Sequence, residues 1–394
     1  MRHQIKAEFI HPMRFLKTFP EAASIVQAGV RGMSGGVLSY SGFQEIMNRT
    51  MRAYNTAIMK LPREMRPASS DIMIDIGSTI SHMAGFMAAG RNTFLFPVDI
   101  LNMLDQTDIS NIRLADIQLP FPAFYLSFGS GLSYGLPGPA NVIDGAYVSA
   151  ADNKGGPSSL SFYFTSRRLD GPHRGGAAMV TGASPTFFAP LTLQPDDTLE
   201  LAIDRAIATK DIALEPQADR VQALLDGVKE AQEQGVPIVV APTTGFARAA
   251  QFNRAALPTM KRVLGLACNA LCLLTAEPEI VGHGWPEDTP VKLIEQFETA
   301  PSPKRKRAAL GRLIDDGFMP IRIVHAANSR ENTDQGPVES TGREVAPHWR
   351  RGHWRRQPTG PGRSERLLKW IKPVLVRGDR GAAAHGHVYL FNKH

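Results

Sequence analysis

Leu257-Pro258-Thr259-Met260-Lys261-Arg262-Val263-Leu264-Gly265-Leu266-Ala267-Cys268-Asn269-Ala270-Leu271-Cys272-Leu273-Leu274-Thr275 is the most apolar helix candidate in the chain. A helix that is apolar nearly all round belongs inside a core, so this segment is expected at the centre of the fold. Its two cysteines, Cys268 and Cys272, are four apart and share one helical face. As a lone CxxxC pair they read as small packed hydrophobes rather than metal ligands or a redox pair.

Outward from this helix the chain alternates between helical and strand-like stretches. Phe43 to Leu61 and Ile74 to Gly90 read as helices, the second stopped by Gly90. Pro97 to Leu104 reads as a short helix with proline in its first turn. Ala123–Phe128, Gly145–Ser149 and Leu160–Thr165 are short, aromatic-rich and bounded by turn formers, as strands are. Gly176 to Thr181 and Phe187 to Leu193 are expected to complete a small antiparallel sheet. Asp197-Thr198-Leu199-Glu200 fits a capping box that opens a helix. Val221, Leu224, Leu225, Val228 and Ala231 mark the next helix, ending at Gly235, and Val236 to Ala241 reads as one more strand. The fold class expected is α+β: a mostly helical body, residues 1–300, with a small antiparallel sheet.

Beyond Pro301 the composition changes. Lys304-Arg305-Lys306-Arg307 is a basic run, and Asn328 to Val345 is polar and aperiodic, so residues 301–346 read as a basic run and flexible linker. Residues 347–394 then read as a small basic β module. Its strand candidates are Leu367–Ile371, Val374–Val376 and Val388–Phe391. From Thr341 to His394 there are 12 Lys+Arg and 3 Asp+Glu, a balance of +9, which leaves −2 on the rest of a chain of net charge +7. The same segment holds five of the 11 histidines and three of the four tryptophans. A near-neutral body carrying such a tail points to a polyanionic partner.

The centre of the tail is His348-Trp349-Arg350-Arg351-Gly352-His353-Trp354. Arginine grips phosphate with a two-pronged fork. Tryptophan offers a flat face on which an unpaired base stacks, worth ~1–3 kcal/mol per base. The candidate nucleic-acid contacts are Trp349, Arg350, Arg351, Trp354, Arg355, Arg356, Arg363, Lys369 and Trp370. Arg363 is placed at the tip of a turn spelled Thr359-Gly360-Pro361-Gly362-Arg363. Single-stranded RNA suits this mixture, because its bases are free to stack.

A catalytic reading sits inside that one. Metal-independent RNA cleavage needs a base for the 2′-OH proton, an acid for the leaving oxygen and a cation near the phosphate. His348 and His353 with Arg351 are the candidates, since imidazole titrates near working pH. A zinc reading through His348, His353, His385 and His387 lacks any accompanying cysteine and is the weaker one. No metal and no cofactor is expected. No run of about 18 apolar residues lacks a charge or a Gly/Pro break, so no membrane partner is expected. The opening residues lack the apolar core of a secretory leader, which gives a cytoplasmic expectation.

His348-x-Arg350-Arg351-Gly352-His353-Trp354, a Gly-containing turn, then Trp370-x-x-Pro373-x-x-Val376 resembles the C-terminal part of a family of phage and mobile-element proteins. That family includes a type V-A anti-CRISPR. Arg91-Asn92-Thr93, Pro120, Pro190-Leu191-Thr192-Leu193 and Leu273-Leu274-Thr275-Ala276-Glu277-Pro278-Glu279-Ile280 extend the likeness from about Gly90 to Val376. The resemblance implies a regulatory inhibitor of a CRISPR nuclease. Its body would recognise a nascent target polypeptide and its tail would contact mRNA or the ribosome, in the cytoplasm of a bacterial host. A metal-independent ribonuclease or toxin and a non-catalytic RNA-binding protein remain open beside it.

Overall fold

The computed structural model describes residues 4–6, 10–31, 33–34, 37–60, 71–113, 116–129, 141–153, 156–168, 187–192, 197–234, 254–316, 318, 321–324, 348–350 and 352–376. In chain order, β1 (Gln4–Ile5) leads to α1 (His11–Thr18) and α2 (Ala22–Arg31). The small hairpin β2 (Met33–Ser34) and β3 (Val37–Leu38) leads to α3 (Tyr40–Met59) and α4 (Asp71–Ala88). Next come β4 (Thr93–Leu95), α5 (Val98–Asp105), β5 (Thr107–Asp108) and β6 (Ala123–Ser127). The long β7 (Asn141–Asn153) and β8 (Gly156–Arg168) precede β9 (Phe187–Thr192). Two helices follow, α6 (Leu199–Glu233) and α7 (Leu257–Ala276), then β10 (Val281–Pro286), α8 (Val291–Glu298), α9 (Pro303–Asp315) and β11 (Ile321–Val324). The tail supplies β12 (His348–Arg350), β13 (Gly352–Thr359), β14 (Glu365–Ile371) and β15 (Val374–Val376).

The sheet is larger than the sequence suggests, and it is not purely antiparallel. Eight strands run in the order β1-β10-β11-β4-β6-β7-β8-β9. The β6 to β9 half is antiparallel, whereas β11, β4 and β6 run parallel to one another. The small sheet expected from the aromatic strands is that antiparallel half. The rest comes from segments of two to six residues, too short to show an alternation. Ile321–Val324 is the sharpest correction. It lies in the stretch read as a basic run and linker, yet it is largely buried and sits between β10 and β4. The basic run itself is the exposed first half of α9. The polar stretch 328–345 and the strand candidates 176–181, 236–241 and 388–391 lie outside the described residues.

Both faces of the sheet are covered, because alternate residues of one strand point opposite ways. Phe124, Leu126, Ala146, Val148, Phe162 and Phe164 face α5, α6 and α7 in the main core. Tyr125, Tyr147 and Tyr163 face α2, α3 and α4 in a second cluster. The three tyrosines are direct cross-strand neighbours on β6, β7 and β8. Their face is polar as well as aromatic. The Tyr125 hydroxyl lies 2.8 Å from Thr165 Oγ1, which donates to the fully buried Asp144 carboxylate at 2.8 Å. Arg14, from α1, closes on the other Asp144 oxygen at 2.6 Å. His11 Nδ1 lies 3.2 Å from the Tyr147 hydroxyl. Thr79, from α4, lies 2.9 Å from the Tyr163 hydroxyl. Apolar burial holds the main core, while this layer of helices is keyed to the sheet by hydrogen bonds that need one register.

α7 runs Leu257–Ala276 as read, and 13 of its residues are buried. It is long and apolar enough to cross a membrane, but 72% of its apolar window is buried inside the protein, which makes it the core helix. Cys268 and Cys272 are buried free thiols in the main core, as packing residues should be. Burial pushes the Cys268 thiol up to about 12 and the Cys272 thiol well above its usual value. Two helices were expected between Asp197 and Gly235; one 35-residue helix passes through Pro216 instead. Its start is held by Thr198, whose Oγ1 accepts from the Leu201 N–H at 3.3 Å. Asp197 uses both oxygens on Arg205, at 2.7 and 2.9 Å.

Burial holds His11 down at about 3, against an ordinary 6.5, with the nearby Arg14 charge adding to the effect and Asp144 opposing it. The folded state keeps this ring neutral while the unfolded chain takes up a proton below pH 6.5. Stability is therefore lost as pH falls from 6.5 toward 3, by up to ~1.4 kcal/mol per pH unit from this residue. His11→Gln is expected to shed that share of the slope between pH 6 and 4, read from urea unfolding. An unchanged slope would mean that His11 is not desolvated.

Candidate nucleic-acid interface

The tail strands are built into the body rather than appended to it. β13 pairs antiparallel with β14, and its first two residues also pair parallel with β5, Gly352 against Thr107 and His353 against Asp108. β12 and β15 pair antiparallel beside them. Trp354 and Trp370 are direct cross-strand partners, stacked with ring centroids 6.0 Å apart. Both are about 95% buried and belong to the same core cluster as α5 and α7.

Each indole N–H is satisfied by the body. Trp354 Nε1 donates to Asn269 Oδ1 at 2.7 Å. Asn269 Nδ2 in turn donates to the carbonyls of Leu104 at 2.8 Å and Thr107 at 2.9 Å. Trp370 Nε1 donates to Thr107 Oγ1 at 3.1 Å, and that hydroxyl donates to the Met103 carbonyl at 2.8 Å. A buried indole needs an acceptor, since an unmet donor costs ~1–3 kcal/mol. Here the acceptors come from α7 and the α5–β5 turn. Trp354 and Trp370 were read as stacking platforms for bases; that reading is corrected, because their faces are packed inside the protein.

The sequence reading missed Asn269 and Thr107. The signal for Asn269 was present: a side-chain amide in the most apolar helix must find partners, because burying it bare is costly. Gly352 follows from the same docking. A Cβ there would stand 2.7 Å from Thr107 Oγ1 and 2.9 Å from Pro373 Cδ.

With the tryptophans inward, strand alternation turns their neighbours outward. Arg355 faces Lys369 across the hairpin, and both are exposed. On the same face Gln357 opposes Leu367, which is 54% exposed, and the half-buried His353 opposes Ile371. Arg356 shares the inner face with Leu368 and is tied to Asp116 at 3.1 Å. The turn closes over Pro361–Arg363, as the Gly-Pro-Gly spelling implies. Gly360, Gly362 and Arg363 all have left-handed backbones, with φ of 74°, 63° and 57°. Arg363 is exposed at the tip, and its carbonyl accepts from Arg366 Nη1 at 3.1 Å.

The Ala276–Ile280 corner, where α7 ends in a 3-10 turn at Pro278–Ile280, lies beside this hairpin. Burial raises the Glu277 carboxyl above its usual range, and the nearby Lys372 and Lys369 charges oppose the shift. The two segments that carry the family likeness most strongly, far apart in sequence, therefore meet in space.

Of the proposed catalytic set, His348 stands in register with Val376 and His353 with Ile371, on two different strand pairs. The side chains of His348, Trp349 and Arg350, and all of Arg351, lie outside the described residues, as do His385 and His387. Among the described residues no group of three or more potential metal ligands comes together.

Gly352→Ala is expected to destabilise the protein by ~1–3 kcal/mol, the usual cost of forcing a methyl group into packed surroundings. Chemical denaturation measures it, and a loss below ~0.5 kcal/mol would show that the strand is free to shift away from β5.

The profile of the AcrVA2-like family, described as the anti-CRISPR type V subtype A2 family, matches residues 94–378. That span takes in β4 to β15 and leaves the N-terminal helices outside. None of the curated proteins matches the chain. Among solved structures, the crystal structure of AcrVA2 aligns over 95% of this chain and 100% of that one, with 12% identity and a TM-score of 0.38. The chain belongs to the AcrVA2-like family of type V-A anti-CRISPR proteins.

Proposed function

We propose that this protein is an inhibitor of a type V-A CRISPR effector that recognises the nascent target polypeptide and lowers its mRNA. In this reading the body selects the target as it is translated in the bacterial cytoplasm. The tail hairpin contacts the message or the ribosome. The observation that carries the reading is the division of the chain into a near-neutral body and a basic hairpin. The hairpin is fixed to the body's core with the exposed Arg355 and Lys369 turned outward.

Membership of the family supports inhibition of a CRISPR nuclease as the outcome. The rigid connection between hairpin and core supports the coupling. A tail on a loose tether would act on any message it met, whereas a tail fixed to the recognising body acts where the body is bound. The fixed tail also raises its local concentration at the engaged ribosome without a new contact.

The test is a translation-coupled decay assay in bacteria. Matched reporters differ only in whether they begin with the coding sequence of a type V-A effector's N-terminal region. The reporter that encodes that region is expected to lose its mRNA when the protein is present, and a version without a start codon to keep it. Equal loss of both messages, or of unrelated ones, would contradict nascent-chain recognition. Charge reversal at Arg355 and Lys369 is expected to weaken the loss.

A further inference from the structure

We propose that the outward face of the β13–β14 hairpin binds the phosphodiester backbone of single-stranded RNA and leaves the bases unread. The inference rests on the RNA contact proposed above and names its chemistry. Two observations carry it.

The first is the Arg355–Lys369 pair. These residues are directly opposed on one exposed face, in register between Trp354–Trp370 and Arg356–Leu368. Side chains so placed have Cβ atoms ~5 Å apart, and like charges there destabilise a hairpin. Among the described residues no carboxylate forms a salt bridge with either, while the Lys372 and Lys369 charges both act on the Glu277 carboxyl. By contrast Arg356, one residue away on the inner face, has Asp116. An anion seated between Arg355 and Lys369 would relieve the repulsion, and a phosphate fits two cations at that spacing.

The second is the tip. Arg363 is a non-glycine residue held in the left-handed region, exposed, with Arg366 bonded to its carbonyl. Such a backbone costs free energy and persists where the surroundings impose it, often at binding sites. Gly360 and Gly362, just before it in the turn, also have positive φ, without the Cβ penalty. The hairpin thus carries cations at its middle and at its tip, with Gln357–Leu367 and Thr359–Glu365 between them on the same face. The two tryptophans that could stack bases, Trp354 and Trp370, are inside, and on this face the half-buried His353 is the aromatic ring among the described residues. Recognition is then electrostatic and indifferent to sequence.

Purified protein is titrated with labelled oligouridine, oligoadenosine and an abasic ribose-phosphate strand of equal length, over a range of salt. All three are expected to bind within about threefold of one another, with affinity falling steeply with salt. Arg355→Glu with Lys369→Glu is expected to weaken binding about tenfold or more. It should also flatten the log–log salt slope by about 1.4, since each lost phosphate contact on a single strand contributes about 0.7. Arg355→Glu alone separates binding from folding. It puts opposite charges across the hairpin, so the melting temperature should hold or rise while affinity falls. Unchanged affinity in these variants, a loss above about tenfold on the abasic strand, or a salt-independent Kd each overturns the proposal. The titration uses no target message, so a failure of message selectivity in cells would sink the functional reading and leave this result standing.

Discussion

A single side chain, the amide of Asn269, holds together the parts on which the candidate site depends. It lies 3% exposed in the middle of the core helix. Its oxygen accepts a hydrogen bond from the Trp354 indole N–H, and its nitrogen donates to two carbonyls, at the end of α5 and in β5. Removing it would strand the buried Trp354 indole N–H, at a cost of ~1–3 kcal/mol, and take one donor from each of the Leu104 and Thr107 carbonyls. An apolar replacement would fill the space but lose the direction: the amide fixes which face of the hairpin points inward. The identity of the outward residues, Arg355 and Lys369, follows from that orientation by strand alternation alone.

The same sheet is held in two different ways on its two faces. Toward α5, α6 and α7 it presents phenylalanine and aliphatic side chains, and burial of apolar surface does the work. Toward the N-terminal helices it presents Tyr125, Tyr147 and Tyr163, with Asp144 and Thr165 among them. The Arg14–Asp144 pair is costly to break, since it would leave a charge in a buried setting. The family profile begins at residue 94, just after this polar-keyed layer. The part of the chain that the profile covers is thus the part organised around α7 and the hairpin.

Much of this was legible in the sequence. The core helix, α3, α4, α5 and the antiparallel half of the sheet follow from apolar periodicity and turn residues, because each is long enough to show its period. The Gly-Pro-Gly turn and Arg363 at its tip were also readable. What could not be read were the contributions of three or four residues, such as Thr93–Leu95 and Ile321–Val324, whose strand state is decided by neighbours distant in sequence. The tryptophans show the limit of composition most clearly. Beside arginines they suggest stacking on bases, yet a tryptophan is as good a core anchor as a platform. Asn269 was the clue that decides between the two, and it sits 85 residues from Trp354.

The central claim is that the tail hairpin is part of the folded core and not a tethered appendage. Native-state hydrogen exchange tests it directly. The account predicts that the ladder amides of residues 353–357 and 367–371 open with the same free energy as those of Leu257–Ala276, in one cooperative unit. Exchange of the hairpin at a markedly lower free energy, with α7 still protected, would contradict it.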